Sequence, residues 1–251
     1  RAGFSSDFIL DHQDNCSHML FRQKEDGYEP LLHQYNAKLY RNFTKNLLWH
    51  IESMQKYDGE LSFISGNHDS FRIADFLNDE ELRLAYLFIY TMPGVPYLFA
   101  GDELGQKTNR NLTSKEGGYQ RTGTRIPMVF DNTENRGFSK CKDVSKLYLP
   151  IDNETVSVME QLEDKNSLLN FIKELIKIRK SEDDLRSKDF KLLDKPLAYS
   201  RGKIKVFINL KDEDQKFEVE SGEILLSVGK VEFSAGKLVL KKHQAVIFKE
   251  A

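Results

Sequence analysis

Three stretches place acids and their partners directly behind short apolar runs. Residues 8–14 put Asp11, His12 and Asp14 after Phe8-Ile9-Leu10; residues 63–72, "FISGNHDSFR", put Asn67, His68, Asp69 and Arg72 after Phe63-Ile64; residues 95–105, "VPYLFAGDELG", end on Asp102 and Glu103. A brief apolar run bounded by Gly or polar residues suits a buried strand, so each acid is expected at a strand's carboxyl end. Barrels of parallel strands build their active sites at those ends. A carboxylate beside a histidine and an arginine there can bind sugar hydroxyls and stabilise a developing cation. The plainer reading of His68 and Asp69 is a satisfied buried histidine and a cap. A metal-dependent phosphohydrolase using His68, Asp69, Asp11, His12 and His18 is the other alternative, but no characteristic ligand spacing recurs to support it.

The elements that must carry these residues alternate. Residues 35–57 repeat Leu39, Phe43, Leu47, Leu48, Ile51 and Met54 at spacings of three and four, which predicts an amphipathic helix stopping before Gly59, with Trp49 packed beside the stripe. A second helix is expected from Asn78, a capping box with Glu81, to Met92, where Pro93-Gly94 ends it; Tyr86, Phe88 and Tyr90 on it read as core. Residues 95–105 follow as a third buried strand. Strand, helix, strand, helix, strand predicts a parallel sheet covered by helices. Residues 105–163 then lose periodicity, as long functional or disordered segments do. Arg121 and Arg125 within them are candidates for the pocket rim, or for tying this long loop to it. Asp164 is expected to cap a helix carrying Leu168, Ile172, Leu175 and Ile176, and ending on Lys177, Arg179 and Lys180. Past residue 183 the pattern becomes short alternating segments, Ile204, Val206, Ile208 and Leu210 among them, separated by Gly222, Gly229 and Gly236. That predicts a small antiparallel sandwich, and hence a division into residues 1–183 and 184–251.

Composition sets outer limits. With 37 Lys and Arg against 39 Asp and Glu, a net charge of −2, the chain lacks the basic excess that binds nucleic acid. No apolar run reaches the roughly 18 residues of a membrane span. Neither nucleic acid nor membrane is an expected partner. Cys16 and Cys141 are far apart and read as buried or idle thiols. No metal site is expected.

Taken in order, these segments resemble the α-amylase family, glycoside hydrolase family 13. "FISGNHDSFR" resembles its fourth signature region, and "MPGVPYLFAGDELG" resembles the segment around its eighth barrel strand. "RTGTRIPMVFD" (residues 121–131) resembles the Arg-x-Pro-Met segment of oligo-1,6-glucosidases and trehalose synthases, and residues 137–180 continue in the same register. Val129-Phe130 in place of Gln-Trp and Ser70-Phe71 in place of Gln-Pro are departures. The resemblance implies an α/β fold, the C-terminal part of a (β/α)8 TIM barrel with strand and helix units six to eight, followed by an all-β sandwich. A whole barrel takes ~250 residues, and only three units are read here.

The resemblance also implies roles. Asp69 matches the carboxylate that stabilises the oxocarbenium-like transition state, His68 and Asn67 accompany it at the same sugar ring, and Arg72 matches an arginine that pairs with an acid and shapes the innermost subsite. From their place at a strand end, and not from the resemblance, Asp102 and Glu103 are expected to orient loops and cap the strand end, with the pocket rim and direct substrate contact as the alternatives. The nucleophile and the general acid, held about 5–5.5 Å apart in retaining enzymes, would lie upstream of Arg1, so this chain alone is expected to be inactive. The implied partners are an α-glucan or α-gluco-oligosaccharide and the upstream barrel half. No cofactor is implied here; a calcium site, common in the family, would fall upstream. The alternative is a non-catalytic relative serving as a scaffold or transporter partner.

Overall fold

The computed structural model describes residues 6–9, 15–22, 29–115, 121–193 and 196–251. Asp11, His12 and Asp14 lie outside them. β1 (Ser6–Ile9) pairs in parallel with β2 (Glu60–Phe63), Ser6 opposite Glu60 and Ile9 opposite Phe63. Between them come α1 (Cys16–Phe21), capped by Asn15, and α2 (Ala37–Tyr57), where the amides of Lys38 and Leu39 donate to Asn36 Oδ1. The predicted stripe of α2 is buried through Leu39, Phe43, Leu47, Ile51 and Met54. Trp49 corrects the expectation. Two positions past Leu47 on a 3.6-residue turn it faces outward, and it is 62% exposed, its ring set edge-on to that of His50.

α3 (Asp79–Thr91) starts on the predicted Asn78–Glu81 capping box and ends at Met92. Every residue from Leu84 to Tyr90 is buried, so this helix is the axis of the core; Phe88 meets Phe43, Phe63 and Tyr199. The segment after it runs parallel to β2 through Val95 N→Leu61 O, Tyr97 N→Phe63 O and Ser65 N→Tyr97 O. It is not the buried strand expected. Pro93 and Pro96 have no N–H to donate, only Ile64 and Tyr97 form a bridge, and Val95 and Tyr97 are nearly half exposed.

The described residues from 105 to 115 and from 121 to 157 are turns of 3-10 helix and irregular chain. Asp164 caps no helix start. A first short helix, α4 (Val158–Glu163), opens on Ser157 in a capping box with Glu160 and ends at Asp164; the long one, α5 (Leu168–Ser181), opens on Ser167. Two hydroxyl caps ten residues apart divide what reads in sequence as one helix.

After α6 (Asp183–Arg186) come β3 (Lys191–Leu192), β4 (Ala198–Arg201), β5 (Ile204–Ile208), β6 (Gln215–Glu218), β7 (Gly222–Val228), β8 (Glu232–Ser234), β9 (Lys237–Leu240) and β10 (Ala245–Glu250). They form two antiparallel sheets, β3-β4-β5-β10-β7 and β6-β9-β8. β5 and β10 of the five-stranded sheet are buried on both faces, and the period of two sorts their residues. Ile204, Val206, Ile208, Ala245 and Ile247 join the core around α3, while Phe207, Val246 and Phe248 meet Phe217, Leu238 and Leu240 of the smaller sheet. The main core therefore continues across residue 183. Buried Arg179 and Arg201 reinforce the junction by donating to carbonyls at the end of α3: Arg179 to Tyr90 and Met92, Arg201 to Thr91.

Candidate active site

The chain leaves β2 through Ser65 and Gly66 and turns on Asn67, whose Oδ1 accepts the Asp69 amide at 2.7 Å. This local turn exposes two adjacent side chains, His68 (63%) and Asp69 (50%), and brings His68 Nε2 to 3.3 Å from Asp69 Oδ2. The other oxygen of Asp69 is held from the long loop. Arg121 Nη1 donates to Oδ1 at 2.5 Å and Arg125 Nη2 at 3.2 Å, while Arg125 Nε takes the His68 carbonyl at 3.0 Å. The fold thus gathers Asn67, His68, Asp69, Arg121 and Arg125 at one strand mouth. Desolvation pushes the Asp69 carboxyl up, but the Arg121 hydrogen bond and the charges of His68, Arg121 and Arg125 outweigh it and hold the group below its usual range. Asp69 is a carboxylate with one oxygen anchored and the other beside an exposed histidine. Such a group can accept hydroxyl hydrogen bonds and offset positive charge on a bound ring.

Arg72, Asp102 and Glu103 lie beneath this surface. Arg72 is 2% exposed and Asp102 0%; they pair at 2.8 Å, and Arg72 also donates to the Ala100 and Thr124 carbonyls. Ser65 Oγ supplies Asp102 Oδ2 at 2.7 Å. Burial pushes the Asp102 carboxyl up, with Arg72, Ser65 and Arg22 pulling the other way. Half-buried Glu103, also raised by burial, accepts the Gly101 amide and so closes its own turn. Thr124 Oγ1 donates to Ser70 O, a second tie from the long loop.

Sequence reasoning missed Arg22. It is 2% exposed and donates to Ser65 O and Phe71 O, residues more than forty positions away, so no local signal marks it. Among the described residues no group of three or more His, Cys, Asp or Glu is placed to hold a metal ion, and no helix is long and apolar enough to cross a membrane. A cavity of about 820 Å³ lies between residues 104–111 and 150–156 and is not lined by Asp69.

Residues 11–188 match the family model described as alpha amylase, catalytic domain. The chain belongs to the α-amylase family. Glucan 1,6-alpha-glucosidase of Streptococcus pneumoniae is 29% identical over 82% of this chain and 44% of its own length. Oligo-1,6-glucosidase of Parageobacillus thermoglucosidasius is 26% identical over 59% of this chain and 34% of its own. Among solved structures, the α-amylase from H. orenii superposes on 99% of the chain and 49% of its own length with a TM-score of 0.70 at 19% identity. An inactive double mutant of MutB in complex with isomaltulose gives 0.71 at 21% identity over 92% and 50%. These structural likenesses establish the family's fold of TIM barrel and sandwich. The chain spans half or less of the length of these relatives.

Proposed function

We propose that the protein carrying this chain is a retaining α-glucoside hydrolase or transglycosylase acting on α-glucans or short α-gluco-oligosaccharides. The observation that supports this most is Asp69: an exposed carboxylate at a parallel strand's end, kept ionised by Arg121 and Arg125, with Oδ2 beside His68. In the proposed mechanism the anomeric carbon gains positive charge as the glycosidic bond breaks. Asp69 accepts hydrogen bonds from ring hydroxyls that strengthen at that moment, and His68 donates to the same ring. The anchoring arginines fix the carboxylate before substrate arrives, so little reorganisation is left for the reaction itself. Arg72 and Asp102 support the loop from below.

No motif in these residues supplies a nucleophile and a general acid, and in this reading both come from other barrel strands. The chain by itself is then inactive. The test is hydrolysis of isomaltose and maltose by the full-length protein, with the anomer of the first-formed glucose followed by NMR, and the same assay on residues 1–251 alone. The proposal expects α-glucose from the full-length protein and no turnover by the shorter chain. First-formed β-glucose, or turnover by residues 1–251, overturns it. A full-length protein that binds no glucoside and turns none over is the scaffold reading instead.

A further inference from the structure

Arg22 follows α1 and is among the most deeply buried charges of the molecule, 2% exposed. A guanidinium out of water is costly unless its donors are met. Two of its donors go to the two ends of one loop: Nη2 to Ser65 O at 2.6 Å and Nη1 to Phe71 O. Between those carbonyls lie Asn67, His68 and Asp69. The planar fork of a guanidinium fixes the direction of both bonds at once, so it sets the separation of the groups it spans.

The surroundings make the brace tight. A Cβ built on Gly66 would stand 3.1 Å from Arg22 Nη2 and 3.1 Å from Asp102 Oδ2, so guanidinium and carboxylate converge on the same point of backbone and a side chain there would have to push one of them aside by a few tenths of an ångström. Two other carbonyls of the loop are also held from outside it, His68 O by Arg125 and Ser70 O by Thr124. Those ties come from one turn, residues 122–125, and each reaches one carbonyl of the loop. Arg22 reaches both ends and comes from a different strand and helix unit.

We infer that Arg22 is a positioning residue: its fork sets the span of the 65–71 loop and so fixes where Asp69 and His68 stand at the strand mouth. This rests on the reading of Asp69 as the transition-state carboxylate. Lysine at 22 keeps the charge and much of the stem, but a point-like ammonium does not reproduce two parallel bonds of fixed direction.

The test uses full-length Arg22→Lys and Arg22→Ala, with kcat and KM on isomaltose per titrated active site, and hydrogen exchange of the amides of residues 66–72. Arg22→Lys should lose about 10²-fold in kcat, the scale of a ~1 Å misplacement, with KM changed far less. Loop amides should exchange at least about tenfold faster, and free guanidinium should restore part of the kcat of Arg22→Ala. A residue that only stabilises the fold would lower the melting temperature and the active fraction while leaving kcat per site unchanged; that result overturns the inference. So does wild-type exchange in the loop of Arg22→Lys. If the wild-type protein hydrolyses no glucoside, the functional reading fails separately. The exchange data then decide the role of Arg22: faster loop exchange supports it and unchanged exchange removes it.

Discussion

Removing the carboxylate of Asp102 should be among the most damaging single changes to this chain. Asp102→Ala leaves the guanidinium of Arg72 at 2% exposure without its counter-charge and leaves Ser65 Oγ without its acceptor. Breaking a buried pair by deleting one partner costs about 3–5 kcal/mol. Arg72 keeps the Ala100 and Thr124 carbonyls, which pulls the figure to the lower end, while the orphaned Ser65 hydroxyl adds about 1 kcal/mol. A loss near 4 kcal/mol follows, which at about 2–4 °C per kcal/mol lowers the melting temperature by roughly 8–16 °C. Burial raises the Asp102 carboxyl despite Arg72, so desolvation outweighs attraction. Replacing both partners, Asp102→Leu with Arg72→Met, should therefore recover most of the loss. The assay is urea unfolding with the slope held equal across variants. A single-variant loss below about 1 kcal/mol, or a double variant worse than the sum of the singles, refutes the reasoning. The pH dependence has a fixed sign. The folded value lies above the unfolded one, so the contribution is complete below the unfolded value and is lost as pH rises through the folded one; wild type should gain on Asp102→Asn upon acidification.

Three further outcomes are expected. Arg121→Met should move the Asp69 titration midpoint upward, followed by carboxyl carbon NMR, because the hydrogen bond and one of the charges holding it down are gone; since the folded value lies below the unfolded one, Asp69's contribution to stability is lost on acidification, and at a higher pH in the variant. Gly94→Ala should destabilise by at least about 1–3 kcal/mol in the same unfolding assay, since φ is +93° and the new Cβ would stand 2.0 Å from Leu61 O, the acceptor of Val95 N. Trp49→Ala should change stability by no more than about 0.5 kcal/mol, because the ring is exposed.

The parts of this fold legible in sequence are those set by local physics. α2 and α3 announce themselves through period and caps, and the alternation read over Ile204, Val206 and Ile208 is the face of β5 that joins the main core. The third strand fails because periodicity does not weigh two prolines, and Asp164 fails because any polar residue near an apolar run can look like a cap until Ser157 and Ser167 are seen using theirs. β3 and β8 are too short to carry a pattern. In the candidate site, Asn67, His68 and Asp69 are legible because they are contiguous. The pairing of Arg72 with Asp102 and the brace of Arg22 depend on tertiary contact across 30 to 49 positions, and sequence gives an arginine no address.

The proposed role of Asp69, stabilising the transition state for glucoside cleavage, stands or falls on kcat of full-length Asp69→Asn with isomaltose. The amide fills the same volume but carries no charge to offset the developing cation. The account predicts a fall of at least about 10²–10³-fold in kcat, the scale of losing one preorganised electrostatic contact, with the fold intact by circular dichroism. A variant that turns over within tenfold of wild type contradicts it.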